Sequence, residues 1–372
     1  MNILRHGSRA RIAAVGIAAS GALLLAGCGA SNESAPSGGA GASTGPSVSG
    51  TIAGAGSSAQ QAAQEAWIAN FTSNNPNANI TYDPSGSGAG RTQFLGGGVA
   101  FAGSDVYLKQ DELTQAQTRC KGDVVEVPDY VSPIAVIYNV QGVNNLQLAP
   151  ETIANIFNRK ITKWNDPAIA ADNPGVTLPD LAITPVNRSD KSGTTQNFTD
   201  YLKGAAPAAW PYDVSDTWPV QGGEAAQGTS GVVGAVKAGN GAIGYADESQ
   251  AKDLGQAKVK VGSSYVGPTP EAAASVLEAS QRVDGQGQYA FAYKLARDTT
   301  ASGTYPVVLV SYLIGCSKYP DAATADLVKA YFNYVISADG QNVAAQKAGA
   351  APLSDTLRSQ ITPAVNAISA GS

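Results

Sequence analysis

From Thr51 onward, short apolar runs alternate with segments in which apolar residues recur every three or four positions. That alternation predicts an α/β protein with mostly parallel sheets. The runs place strands over 80–82, 124–127, 134–140, 183–186, 242–245, 259–261 and 307–314. Between them Ala59, Ala62, Ala63, Ala66, Trp67 and Phe71 keep helical spacing, and Ile153, Ile156 and Phe157 form a shorter stripe. Further helices are expected around 198–202, 232–236, 272–277 and 327–336. These stripes are read as core contacts and carry no chemistry. No internal repeat or second low-complexity stretch interrupts the body, so two lobes sharing crossovers fit better than two sequential domains.

The opening of the chain is patterned differently. Arg5, Arg9 and Arg11 precede an apolar and small-residue run from 12 to 27, the charged and hydrophobic regions of an export signal over 1–27. The run is too short to span a bilayer well. It closes on Leu25-Ala26-Gly27-Cys28, which resembles the lipobox of bacterial lipoproteins and implies that Cys28 is acylated and becomes the mature N-terminus. Residues 28–50 are almost entirely Ser, Gly, Ala, Pro, Asn and Thr, with Val48 the one larger apolar side chain, so they cannot bury a core. A flexible tether of this length reaches on the order of 25 Å. The body is therefore expected outside the cytoplasm, held by lipid to a bacterial cell membrane without entering it.

Composition narrows the chemistry. The chain of 372 residues has 24 basic against 29 acidic side chains, net −5, and loss of the signal removes three of the basic ones. A nucleic-acid partner would call for the opposite balance. The one histidine, His6, lies in the signal, which leaves the mature chain without imidazole for a Ser-His-Asp triad or a histidine metal site. With Cys28 taken by lipid, Cys120 and Cys316 remain. In an oxidising compartment they read as a disulfide closing a long loop, with two buried thiols as the alternative. Two sulfurs without histidine fall short of a zinc site, so no metal and no cofactor are expected.

Three turns rich in Gly, Ser and Thr each lead into an expected helix. They are Gly54-Ala55-Gly56-Ser57-Ser58, Ser85-Gly86-Ser87-Gly88-Ala89-Gly90-Arg91 and Arg188-Ser189-Asp190-Lys191-Ser192-Gly193-Thr194-Thr195. A helix start leaves N–H groups unpaired and carries about half a positive charge, glycine permits close approach, and hydroxyls add donors, so each turn can cradle an anion. Taken singly, each is equally an ordinary helix cap. Arg188 adds a planar fork suited to an oxyanion, with Asp190 placed to hold it; a surface ion pair is the competing reading. Asp105, in Phe101-Ala102-Gly103-Ser104-Asp105, would repel an anion unless that anion brings a proton. Many donors plus one obligatory acceptor therefore select HPO₄²⁻ or H₂PO₄⁻ and penalise sulfate.

These motifs resemble the phosphate-binding lipoproteins of high-affinity phosphate ABC importers, members of the type II periplasmic-type solute-binding proteins. The resemblance also rests on Ile161-Thr162-Lys163-Trp164-Asn165-Asp166-Pro167 and Gly241-Ala242-Ile243-Gly244-Tyr245, and Arg-x-Asp-x-Ser-Gly-Thr with an upstream Gly-Ser-Asp is its most specific part. It implies a two-lobed α/β fold, each lobe a mostly parallel sheet flanked by helices, with the ligand in the cleft between lobe I (51–129 plus 304–372) and lobe II (130–303). It implies hydroxyl donors at Ser58, Ser87, Ser192 and Thr194, a backbone donor at Gly193 that the Ala59 N–H could join, and a phosphate contact at Ser57. Arg188 would give the charged pair, Asp190 would brace it, and Asp105 would accept the ligand's proton. Ala59 stands where members often carry an aromatic, Ala100 where an acidic residue is frequent and Lys191 where glycine is common. The implied protein is a monomeric binder that hands inorganic phosphate to membrane permease subunits and is not an enzyme. A phosphatase using the same cradle, or a binder of sulfate or molybdate, is the alternative.

Overall fold

The computed structural model describes residues 48–371; the export signal, Cys28 and the tether as far as residue 47 lie outside the described residues. Nine strands form one curled sheet: β1 (Gly50–Gly56), β2 (Ala78–Asp83), β3 (Phe101–Ser104), β4 (Val124–Asn139), β5 (Thr184–Arg188), β6 (Glu224–Ala226), β7 (Ala242–Asp247), β8 (Gly255–Gln256) and β9 (Val308–Cys316). Their order is β2-β1-β3-β9-β4-β7-β5-β6, with β8 beside β4. Pairing is parallel on both flanks, among β1, β2 and β3 and among β5, β6 and β7. It turns antiparallel at the centre, where β4 and β9 meet each other and their neighbours.

β4 is where the structure departs most from the sequence pattern. Pro128 and Pro133 break the apolar run and predict two strands, yet the backbone continues through both. The first stretch of β4 pairs with β9 and the second with β7, so one strand belongs to both halves of the sheet. The register shifts between Ser311 and Tyr312, leaving Asp129 as the unopposed residue of a bulge, the kind of irregularity at which a strand tolerates proline. Four strands escaped the hydrophobic pattern altogether: β1 and β3 are rich in Gly and Ala and poor in the β-branched residues that mark strands, and β6 and β8 are only three and two residues long.

Six helices matter for the site: α1 (Gln61–Asn74), α2 (Ser87–Leu95), α3 (Gln110–Cys120), α4 (Gly193–Ala205), α5 (Gly228–Ala238) and α6 (Ala322–Ile336). α1 buries Ala63, Trp67 and Phe71, the stripe expected from spacing, and the Trp67 indole donates to the Gly340 carbonyl at 2.7 Å. Phe198 of α4 stacks on Tyr245 of β7 at 4.4 Å between ring centroids. That aromatic contact fixes α4 against the sheet, and with it the turn that starts the helix. The 259–261 run pairs in a separate three-stranded sheet. Cys120 at the end of α3 and Cys316 at the end of β9 form a disulfide with 5.1 Å between Cα atoms.

Candidate functional site

Each expected turn sits at the C-terminal end of a sheet strand, and the turns face one another. β1 delivers Ser57 and Ser58, β2 leads to Ser87 at the start of α2, β3 delivers Asp105, and β5 leads through Arg188 and Asp190 to the start of α4. Close approach depends on glycine. Gly56 has φ +151°, and a Cβ there would lie 1.9 Å from the Gly103 carbonyl oxygen, so β1 and β3 come together only without a side chain. A Cβ on Gly193 would lie 2.5 Å from Ser87 Oγ and 2.8 Å from Asp105 Cβ, which brings the first turn of α4 directly onto Asp105.

Asp105 is the focus of this arrangement. Its Oδ1 accepts from Ser311 at 3.1 Å, while Oδ2 accepts from Ser87 at 3.3 Å and Thr194 at 3.4 Å. Its N–H donates to Ser87 Oγ at 3.1 Å, and its carbonyl accepts from Asn197 at 2.7 Å. The carboxyl is 2% exposed. Burial pushes its pKa up, against hydroxyl donors and the Arg188 charge. The buried Arg188 guanidinium meets Asp190 as a fork, Nε to Oδ1 at 2.8 Å and Nη2 to Oδ2. Burial pushes the Asp190 carboxyl up, but Arg188 outweighs it and holds it below the usual carboxylate range. Gly86 packs on this pair: a Cβ there would lie 2.5 Å from Asp190 Oδ2 and 3.6 Å from Arg188 Nη2.

The remaining expected residues are near but engaged in capping. Ser192 Oγ accepts from Thr195 N at 3.1 Å, the N-cap of α4. Ser57 Oγ accepts from Ala59 N at 3.0 Å, so the Ala59 N–H is occupied within its own turn. Ser58 Oγ shares a 3.0 Å contact with Thr229 Oγ1 and accepts from Thr229 N at 3.1 Å.

The family model described as the PBP superfamily domain matches residues 41–339. Phosphate-binding protein PstS2 of Mycobacterium bovis (strain BCG / Pasteur 1173P2) is 37% identical over 371 residues, covering 96% of this chain and 98% of that protein. The chain belongs to the PstS family. Phosphate-binding protein PstS 3 of Mycobacterium leprae is 38% identical with the same coverage. Among solved structures, the high-affinity periplasmic phosphate-binding protein PfluDING bound with phosphate has a TM-score of 0.69 at 21% identity, covering 84% of this chain and 93% of that one. The phosphate-binding protein of Stenotrophomonas maltophilia has a TM-score of 0.68 at 20% identity, covering 85% and 94%. These likenesses show that this PstS-family chain has the type II two-lobed fold.

Some residues at the site were not found from sequence. The start of α5 is a fourth cradle-like turn, Gly228-Thr229-Ser230-Gly231; Gly228 N donates to Asp190 Oδ1 at 3.0 Å. Its Gly and Thr pattern matches that of the other three and could have been found the same way. Ser311 carries no local signal. Nor do the buried acids of the sheet centre. Glu126, Asp129 and Asp247 are buried, and Glu126 Oε2, both Asp129 oxygens and Asp247 Oδ2 have no hydrogen-bond partner. Burial pushes Glu126 up to about 8 and Asp247 to about 7, and raises Asp129 well above the carboxylate range. Unpaired carboxyls this deep are held as neutral acids more cheaply than as anions.

Proposed function

We propose that this chain captures inorganic phosphate outside the cytoplasm and delivers it to an ABC phosphate importer. The observation that carries this reading is the buried Asp105 carboxyl, set among hydroxyl donors and beside the Arg188–Asp190 fork. Donors alone would suit any oxyanion. An acceptor in their midst requires a ligand that still carries a hydrogen, which HPO₄²⁻ does and sulfate does not. Ser87, Thr194 and the N–H groups of the α4 first turn supply donors, Arg188 supplies charge, and Asp190 keeps the guanidinium oriented. Ser57, Ser58 and Ser192 cap helix starts, with Ser57 holding the Ala59 N–H, and Gly193 lets the first turn of α4 approach the ligand. The names and lengths of the PstS relatives support the same reading.

The lobes are taken as 51–129 with 304–372 and as 130–303, joined through β4 and β9. Closure brings both sets of donors onto one ion. The export signal and Cys28 support a lipid anchor, and the chain is read as a monomeric binder without turnover. Titration calorimetry on protein lacking the signal and lipid tests this directly. Phosphate should bind at micromolar affinity or better, about −8 kcal/mol or more, and sulfate should not compete. Arg188→Ala should lose phosphate affinity. Equal affinity for the two ions, or hydrolysis of a phosphate ester that vanishes in Arg188→Ala, would overturn it.

A further inference from the structure

Arg91 lies on α2 outside the anion cradle, yet it is only 2% exposed and all three of its guanidinium nitrogens are engaged. Nε meets Glu112 Oε1 at 2.9 Å, Nη1 donates to Ser104 Oγ at 3.2 Å, and Nη2 meets Asp216 Oδ2 at 3.3 Å. Glu112 and Ser104 belong to the same lobe as Arg91; Asp216 lies in the other, in the chain beyond α4. Among the described residues this is the one ion pair that joins the two lobes.

Its backbone connections tie it to the cradle on both sides. Ser104 directly precedes Asp105. The Asp216 carbonyl accepts the N–H of Ser192 at 2.8 Å, and Ser192 caps the helix that presents Gly193 and Thr194. Beside it, Gly88 N donates to the Lys191 carbonyl at 3.1 Å, so the first turn of α2 is bound to the same segment.

We propose that Arg91 and Asp216 form an interlobe latch, a positioning pair that holds the cradle shut over its anion and slows release. This rests on the two-lobed phosphate reading above. Glu112 keeps the guanidinium neutralised and aimed from its own lobe, so the Asp216 arm is the part made and broken as the lobes meet and part. A contact present only in the closed state acts on dissociation and leaves association unaffected. The side chains are 2% and 15% exposed, so solvent and salt screen the pair far less than an open surface pair.

Asp216→Asn removes the charge while keeping the backbone carbonyl that holds Ser192, and Arg91→Lys keeps charge but cannot reach three acceptors at once. Stopped-flow Trp fluorescence with inorganic phosphate reads both rates. In Asp216→Asn the dissociation rate should rise about tenfold, equivalent to about 1.4 kcal/mol, with association within about twofold of wild type. The melting temperature of the unliganded protein should not change, and Arg91→Lys should fall between wild type and Asp216→Asn. An unchanged dissociation rate in Asp216→Asn overturns the latch while the phosphate reading stands. So does a rise matched by an equal loss of unliganded stability, which marks a purely structural contact. Wild type that fails to bind phosphate in calorimetry overturns both.

Discussion

Replacing Asp105 by Asn keeps the side-chain shape and changes the chemistry of one position. Oδ1 is satisfied by Ser311 at 3.1 Å, whereas both donors to Oδ2, Ser87 at 3.3 Å and Thr194 at 3.4 Å, are long. Oδ2 is therefore the oxygen with acceptor capacity left for a ligand's hydrogen. An amide placed there turns that acceptor into a donor. Phosphate loses a hydrogen bond to a charged group, about 1.5–3 kcal/mol, and sulfate is relieved of an unpaired buried acceptor, about 1–3 kcal/mol. The ratio of sulfate to phosphate dissociation constants should fall by about 10² to 10⁴. A second readout has the opposite sign. Because burial pushes Asp105 up, its ionised form costs stability at pH 8, so unliganded Asp105→Asn should melt higher than wild type while discriminating worse. Calorimetry with both ions at pH 8 and thermal melts of the unliganded proteins measure the two effects. If both ions weaken equally, the proton-sensing argument is refuted.

Gly193→Ala should weaken phosphate binding more than tenfold, since its Cβ would stand 2.5 Å from Ser87 Oγ and 2.8 Å from Asp105 Cβ; calorimetry reads it. Cys316→Ser opens a loop closed over a sequence separation of 196, worth up to about 5 kcal/mol by loop entropy, so the urea midpoint should drop and match that of reduced wild type. Glu126 at about 8 and Asp247 at about 7 bind their protons more tightly when folded than at an unfolded value of about 4. Unliganded stability should therefore rise as pH falls from about 8.5 to about 5.5; Asp190, held low, subtracts stability only in stronger acid. Urea midpoints at the two pH values check this, and an equal or reversed order would mean that these acids stay ionised in the folded chain.

The cradle was legible in the sequence because its physics is local. A helix start offers donors wherever it lies, Gly permits approach, and a two-residue spacing suffices to brace Arg188 with Asp190, so these residues could be named without a fold. Helix stripes such as Trp67 and Phe71 were legible for the same reason. The single strand β4 was not, because Pro128 and Pro133 count against a strand locally while pairing with β9 and β7 outweighs them. Arg91 read as part of a glycine turn, and only tertiary structure brought Glu112, Ser104 and Asp216 to it. Ser311 and the buried acids Glu126, Asp129 and Asp247 also lay beyond reach, since burial and nonlocal partners decide what a carboxyl or hydroxyl does, and neither is written in the residues beside it.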